Sequence, residues 1–508
     1  MRNQRKLAPS LVVNAMSSWA PFVANALVGL FLTPFIVQSL GKTGYGIWTL
    51  VASFVGYYGL LNLGVESAVL REIARSSAIG DRDRLNRVSS TSLAMFVLTG
   101  LVSVAASFAL ADSLSTFFGI ASDERDSFIT MIRVLGIATG LSFPTNVLSA
   151  IVAAREHYVP RNVITVLAVA FRATLTIVFL HAGFGVVGVG LSTLASSVFA
   201  GGANIALMKR YAPDVELRIE YIGLSVLKAL LGYGGVATVI RVADLLRTQL
   251  DTVVVGRFVG VDATGEYGLA ALLVRYMTMF VTATMGVLTP RFSALDGRSD
   301  SVGLRELFFA GTKVSAFLSV GIAVGVIVLG PRFIGLWVGE GYRDAGEVLV
   351  VLSVAFVFAL SQSPSISVLL ALNKHRGYAL ISILEALVNV GLSIMLARTY
   401  GIVGVALGTM IPVLVVKLLV MPFYVCRVAS VRLREYLRLF ISPFAIGVTV
   451  VALVGLLDID QWVDGLSMSG VLASAIVFMG GYFGLAYPSA KVEVSRALRQ
   501  LRSKRGAC

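Results

Sequence analysis

Four ionisable residues within one apolar stretch carry the strongest chemical signal in this chain: Arg241, Asp244, Arg247 and Asp251. Their spacing of three or four places them within about a third of a helix circumference, where they can pair along one face. Each such group costs about 2.5–3.5 kcal/mol at the centre of a membrane helix, so it faces water or a partner. The set is therefore one wall of a translocation cavity or a self-neutralised ladder between helices. A purely structural ladder in lipid gains little net energy, which favours the cavity. A second stripe, Arg275, Thr278, Thr282 and Thr289, follows along the next apolar stretch, and its arginine has no acid close in sequence. Threonines alone would read as helix–helix contacts.

Milder polar stripes occur near the N-terminus, with Asn14, Ser17, Ser18, Pro21 and Asn25 in one stretch and Tyr58, Asn62 and Glu66 in the next. These line the same cavity or pack between helices. Arg172 and Lys417 lie near the middle of two further apolar stretches and are also cavity candidates. Arg133 and Glu385 are scattered, Arg133 near a helix end where it can snorkel, and His181 reads as an interface residue. Cations outnumber acids in these stretches. A lumen of that balance suits an anionic passenger, such as a phosphate-linked or uronic-acid-bearing molecule.

The elements that must position these groups are membrane helices. The chain has 508 residues, 57% hydrophobic and only 14% charged, against about a quarter charged in a soluble protein. Its mean hydropathy is +0.86. Windows of about 20 apolar residues give about fourteen spans, near 11–38, 44–68, 88–111, 128–153, 163–181, 184–208, 226–256, 266–289, 313–331, 346–372, 378–397, 401–426, 439–457 and 470–488. The basic start MRNQRKLAPS leads into a span too long for a signal-peptide core and reads as a retained first helix.

Loop charges support the count. With the N-terminus in the cytoplasm, alternate loops are basic: Arg71, Arg75, Arg82, Arg84 and Arg87, then Arg155 and Arg161, and later Lys209, Arg210 and Arg218. The pattern continues to Arg427, Arg432, Arg434 and Arg438 and a basic tail. The opposite loops hold few cations, as the positive-inside rule requires, so both termini are expected inside. The net charge of +14 thus reflects topology and not nucleic-acid binding. The tail, with Val494, Leu498 and Leu501 on one face among basic residues, either lies on anionic lipid or is simply solvated.

Segments recur at a shift of roughly 220 residues. Gly185–Thr193 (GVVGVGLST) returns as Gly401–Thr409 (GIVGVALGT), and Leu40–Gly46 (LGKTGYG) returns with an insertion as Val259–Gly268 (VGVDATGEYG). Pro144 falls opposite Pro364. A chain of this kind is an all-α polytopic membrane protein. Residues 1–208 form a six-helix lobe, 209–225 a cytoplasmic linker and 226–426 a second six-helix lobe. A helix pair at 427–490 and a basic cytoplasmic tail at 491–508 follow. Six is even, so the lobes enter the membrane in the same direction, related by a pseudo-twofold along the membrane normal. Gly232, Gly234 and Gly235 in the seventh span, and Pro21 and Pro34 in the first, make corresponding helices bendable.

Enzymatic signals are missing from the sequence. There is no P-loop, no nucleophile–base pair and no metal-ligand spacing, and no cofactor is expected. The acidic Asp458, Asp460 and Asp464 read as a solvated loop. Cys426 and Cys508 both fall on the side assigned to the cytoplasm, where a disulfide is not expected.

The run LTPFIVQSLGKTGYGIWTLVASFVGYYGLLNLGVESAVLREIA resembles the start of polysaccharide flippases, the Wzx-like branch of the multidrug/oligosaccharidyl-lipid/polysaccharide exporter superfamily. YAPDVELRIEYIGLSVLKALLGYG, with DTVVVGRFVGVDATGEYGLA, resembles the start of the second half. The resemblance covers nearly the whole chain and implies two lobes around a central cavity with alternating access. It implies a polyprenyl-diphosphate-linked oligosaccharide as passenger, moved from the cytoplasmic to the outer leaflet of an inner membrane. Arg241, Arg247 and Arg275 would meet its diphosphate. The first span lacks the carboxylate that the multidrug branch often uses for cation coupling, so Glu66, Asp244 or Asp251 would have to serve any coupling ion. An ion-coupled exporter of small amphiphiles is the alternative, and a membrane enzyme acting on lipid-linked sugars is a third reading.

Overall fold

The computed structural model describes residues 4–62, 65–233, 235–456 and 465–503. Within these, the side chains at 4–16, 18, 62, 65–67, 232–233, 235–241, 243–244, 247–248, 375, 455, 489–490 and 492–503 lie outside the described part. All regular structure among the described residues is helical. The N-terminal elements are α1 (Gln4–Gly56), α2 (Val65–Ile79), α3 (Arg82–Phe117), α4 (Arg125–Ala154), α5 (Tyr158–His181), α6 (Gly185–Tyr211), α7 (Leu224–Tyr233) and α8 (Gly235–Phe258). Then come α9 (Val261–Gly286), α10 (Leu288–Gly297), α11 (Ser301–Val338), α12 (Arg343–Ser361) and α13 (Ser363–Ala371). The chain continues with α14 (His375–Val415), a π-turn (Val416–Val420), α15 (Met421–Val428), α16 (Leu433–Leu456) and α17 (Met468–Ser503).

Eleven helical segments among the described residues are long and apolar enough to cross a membrane. Two of them are double, broken at Gly41 within Trp19–Leu61 and at Gly401 within Arg376–Val428. The pair α7–α8 covers one further expected span, which its ionisable residues keep out of a hydropathy count. The result matches the fourteen spans read from the sequence.

The repeats fold as corners. Gly41 (φ 70°, ψ −174°) and Gly401 (φ 58°, ψ −137°) occupy backbone conformations that essentially only glycine adopts. Their repeat partners Gly260 (φ 136°) and Gly185 (φ 55°) also have positive φ. What recurs in the sequence is thus a pair of backbone reversals, each turning one span into the next.

By its internal contacts the chain forms two compact units. Unit 1 comprises Met1–Leu245 with Gly260–Gly265, and unit 2 comprises Leu246–Val259 with Glu266–Cys508. This division falls later than the expected linker because α7 packs on α2 and α3. In unit 1, α3 and α4 approach until a Cβ on Gly100 would lie 2.4 Å from the Gly140 carbonyl. The second expected span ends early. Its helix stops at Gly56 and a 3-10 stretch (Tyr57–Asn62) follows, where Tyr58 Oη lies 2.7 Å from Ser107 Oγ and Gly59 weakens helical propensity. In unit 2 the tenth span is also interrupted, between α12 and α13. Pro364 has no N–H to offer the Leu360 carbonyl four residues back, which accepts from Ser315 Oγ instead. Pro144, its counterpart, stays inside continuous α4. The C-terminal pair packs on α11: Tyr482 lies against Gly321 and Phe317, and Val471 against Leu329.

The segment between α6 and α7 is strapped to α3 by side chains. The Asn86 amide oxygen accepts from the Glu216 N–H (3.0 Å), Ser90 Oγ from the Arg218 N–H (3.2 Å) and Thr91 Oγ1 from the Gly223 N–H (3.1 Å). Arg155 on α4's C-cap donates to Asp214. Burial is the largest influence on Asp214 and raises its pKa, but the Arg155 hydrogen bond, a backbone hydrogen bond and the charges of Arg155 and Arg82 together outweigh it and hold the carboxyl below its ordinary value. A carboxyl lowered in the folded state stabilises the strap fully above its unfolded pKa, about 3.9, and loses that contribution as pH falls through the lower folded value. Protection of the Glu216 and Arg218 amides against hydrogen exchange, relative to their intrinsic rates at each pH, should therefore be high at neutral pH and fall in that acidic window. In Asp214→Asn the protection should be lower at neutral pH and show no such fall.

Candidate functional site

Asp251 is the centre of a buried polar network in unit 2. It lies on α8 with 4% of its surface exposed. Its Oδ2 accepts hydrogen bonds from Tyr267 Oη (2.7 Å) and Thr409 Oγ1 (2.6 Å). Thr409 in turn accepts from Asn389 Nδ2 (2.9 Å), and Ser393 Oγ lies 3.5 Å from Asn389 Oδ1. Three membrane helices, α8, α9 and α14, converge here, and Asn389 and Thr409 stand on opposite sides of the Gly401 corner in α14. A Cβ on Gly408 would lie 2.5 Å from the Ser393 backbone, so glycine at 408 lets the two arms of α14 close together.

Asp251, expected from sequence in a cavity wall or an ion ladder, is placed instead in a buried hydrogen-bonded network, and its partners were not expected, although the signal was present. Tyr267 lies in the second copy of the corner segment Val259–Gly268, and Thr409 ends the second copy of Gly185–Thr193. The first copies make no such site. Counting nine residues back from the paired corners Gly260 and Gly41 sets Asp251 opposite Leu32. Thr193, opposite Thr409, bonds the Val189 carbonyl of its own helix.

A second buried polar group lies at the π-turn. Lys417 Nζ is 4.0 Å from Glu385 Oε2, with 4% and 3% of the side chains exposed. The ammonium also sits 5.7 Å from the Tyr378 ring centroid, a cation–π distance. Lys417, expected as a cavity residue, is thus placed in an internal ion pair with Glu385.

The other expected residues separate. Arg275 is exposed on α9, and among the described residues no carboxylate pairs with it. Thr278 and Thr282 share its stripe and donate to carbonyls one turn back, at Val274 (2.9 Å) and Thr278 (2.7 Å). Asn25 Nδ2 donates to the Pro21 carbonyl of its own helix (2.9 Å). Arg172 is half-buried in mid-α5, where its carbonyl accepts from Thr176 Oγ1. The side chains of Glu66, Arg241, Asp244 and Arg247 lie outside the described residues. No group of three or more metal-ligating side chains occurs among the residues described.

Comparison with known proteins places this architecture. The profile of a family described as polysaccharide biosynthesis protein matches residues 39–347, more than half of the chain. The chain belongs to that family. It is 23% identical to the Bacillus subtilis membrane protein EpsK, which is described as uncharacterized, over 97% of this chain and 99% of that one. It is 24% identical to a putative O-antigen transporter of Shigella flexneri, over 82% and 98%. Its fold is that of the lipid II flippase MurJ in an inward closed conformation (TM-score 0.70, 14% identity, 93% of this chain and 99% of that one). It is also that of an inward-facing multidrug transporter of the MATE family and MOP superfamily (TM-score 0.62, 18% identity, 83% and 96%). The chain is thus a multi-pass membrane protein with the fold of that transporter superfamily.

The Asp251 network gives a direct expectation. Thr409→Val removes a donor to a buried carboxylate and the acceptor used by Asn389. It should lower stability by ~1–3 kcal/mol, read as a lower melting temperature in detergent, whereas Thr193→Val should have little effect.

Proposed function

We propose that the protein moves a polyprenyl-diphosphate-linked oligosaccharide from the cytoplasmic to the outer leaflet of an inner membrane, by alternating access. The observation that carries this reading is family membership across residues 39–347, together with relatives described as O-antigen transporters. Charge supports it. An exposed arginine in a membrane-spanning helix is stable against water or an anion and not against acyl chains, and Arg275 is such a residue. A diphosphate offers it charge-assisted hydrogen bonds. Arg241 and Arg247, expected on the same grounds from sequence, complete the proposed anion contact. Arg172, Thr278, Thr282 and Asn25 are proposed to line the path.

Asp251 is the residue we assign to any coupling ion. It is a buried carboxylate among hydroxyl and amide groups, so loss or gain of a cation there would change the pairing of α8, α9 and α14. The chemistry needs no bond broken in the passenger, and the protein acts in this reading as a transporter and not an enzyme. Both termini are proposed to lie in the cytoplasm.

Similarity in fold to multidrug transporters supports a second reading, an ion-coupled exporter of small amphiphiles. A deletion strain carrying Arg275→Ala should regain membrane-inserted protein but export surface polysaccharide at a rate reduced by about tenfold or more, the factor for losing a charge-assisted contact. Arg275→Lys should retain part of the activity. Normal polysaccharide with Arg275→Ala would remove the anion contact from the account, and broad drug sensitisation of the deletion strain with normal polysaccharide would favour the exporter.

A further inference from the structure

The π-turn Val416–Val420 is explained by Pro422 and completed by Gln362. In an α-helix the ring of Pro422 would clash with the Leu418 carbonyl four residues back. The helix instead widens, and the Met421 N–H bonds the Val416 carbonyl, five residues back. The Lys417 carbonyl is then stranded. Its four-back donor, Met421, is used elsewhere, and its five-back donor would be position 422, a proline. Gln362 supplies the missing hydrogen bond: its Nε2 donates to the Lys417 carbonyl at 2.6 Å, fully inside unit 2. Gln362 can reach because it sits at the break between α12 and α13 that Pro364 imposes. One side chain thus joins two proline-broken membrane segments, beside the buried Glu385–Lys417 pair.

We propose that this contact is the latch of a helix-register switch. When the turn re-forms as an α-helix, the Met421 N–H moves from the Val416 to the Lys417 carbonyl and Gln362 is released. The Val416 carbonyl then takes the Val420 N–H. The two registers differ in which carbonyl lacks a backbone donor, Lys417 in the π form and Leu418 in the α form. The α form also sets the Pro422 ring against the Leu418 carbonyl, so it is the minor state of this two-state element, and the Gln362 bond favours the π form. The change turns α15 relative to α14 by about 100°, the angle of one helical residue. Each α15 side chain then takes the direction its successor had. Cys426, now buried, takes the direction of exposed Arg427. The switch goes beyond the proposed function and does not depend on which passenger is carried.

The native thiol reports the register. The full chain with Cys508→Ser keeps Cys426 as its one cysteine and is labelled in membranes with a membrane-permeant maleimide. The unaltered latch predicts slow labelling. Gln362→Leu keeps the bulk and removes the donor, and should speed labelling about tenfold, the factor for one buried carbonyl left without its donor. Pro422→Ala, which restores the backbone donor that the α register needs, should also speed labelling although it leaves Gln362 in place. Deleting Val420 from the Gln362→Leu chain removes the extra residue and should return labelling to the slow rate. General unfolding would expose Cys426 in the deletion chain as well, so the slow rate there separates a register change from a loss of fold. Equal labelling of Gln362→Leu, Pro422→Ala and the parent would overturn the switch, as would fast labelling of the Gln362→Leu chain that the Val420 deletion does not reverse.

Discussion

A polar group that this chain takes into the apolar interior is costly unless a partner comes with it. In hydrocarbon no water competes for a carbonyl or an ion, so an unmatched group costs several kcal/mol. That constraint makes all regular structure among the described residues helical and decides where the helices are allowed to fail. Several of the failures lie at glycines with positive φ or beside prolines, and side chains meet buried polar groups near two of them. Gln362 donates to the carbonyl stranded beside Pro422, and Thr409, near the Gly401 corner, donates to Asp251.

The same constraint gives the internal repeat its meaning. Both copies keep the corner glycines, since a tight reversal from one span into the next takes a positive φ that glycine adopts at little cost. The side chains around the corners were free to diverge. In the first copy Thr193 returns its hydroxyl to its own helix, and Leu32 stands where the second copy has Asp251. In the second copy Tyr267, Asn389 and Thr409 converge on a carboxylate. A duplicated scaffold thus carries a single-copy site, and the duplicated segments supply that site's partners as well as its frame.

Much of the fold was legible because apolar length and loop charge are one-dimensional signals. The fourteen spans, the paired segments and the C-terminal helix pair could be read directly. What could not be read was partnership across helices. Lys417 looked like a lone mid-membrane cation because Glu385, 32 residues away, meets it only once α14 has folded back at Gly401. Tyr267 and Thr409 looked like repeat filler because their hydroxyls acquire a role only beside Asp251. The break at Gln362 was hidden for a related reason: Pro144 and Pro364 are equivalent in sequence, yet only one interrupts its helix. Asp251 and Arg275 were legible because a charge in an apolar stretch demands water or a partner wherever its helix lies.

The central claim is that these charges serve an anionic, lipid-linked passenger. It is tested most directly with the purified full chain in liposomes. These carry a fluorescent polyprenyl-diphosphate oligosaccharide in both leaflets and an impermeant reagent that destroys fluorescence only outside. The account predicts that the protected inner-leaflet half is lost in the presence of the protein and survives in protein-free vesicles, with a polyprenol lacking the diphosphate left unmoved. Equal protection with and without correctly folded protein would contradict it.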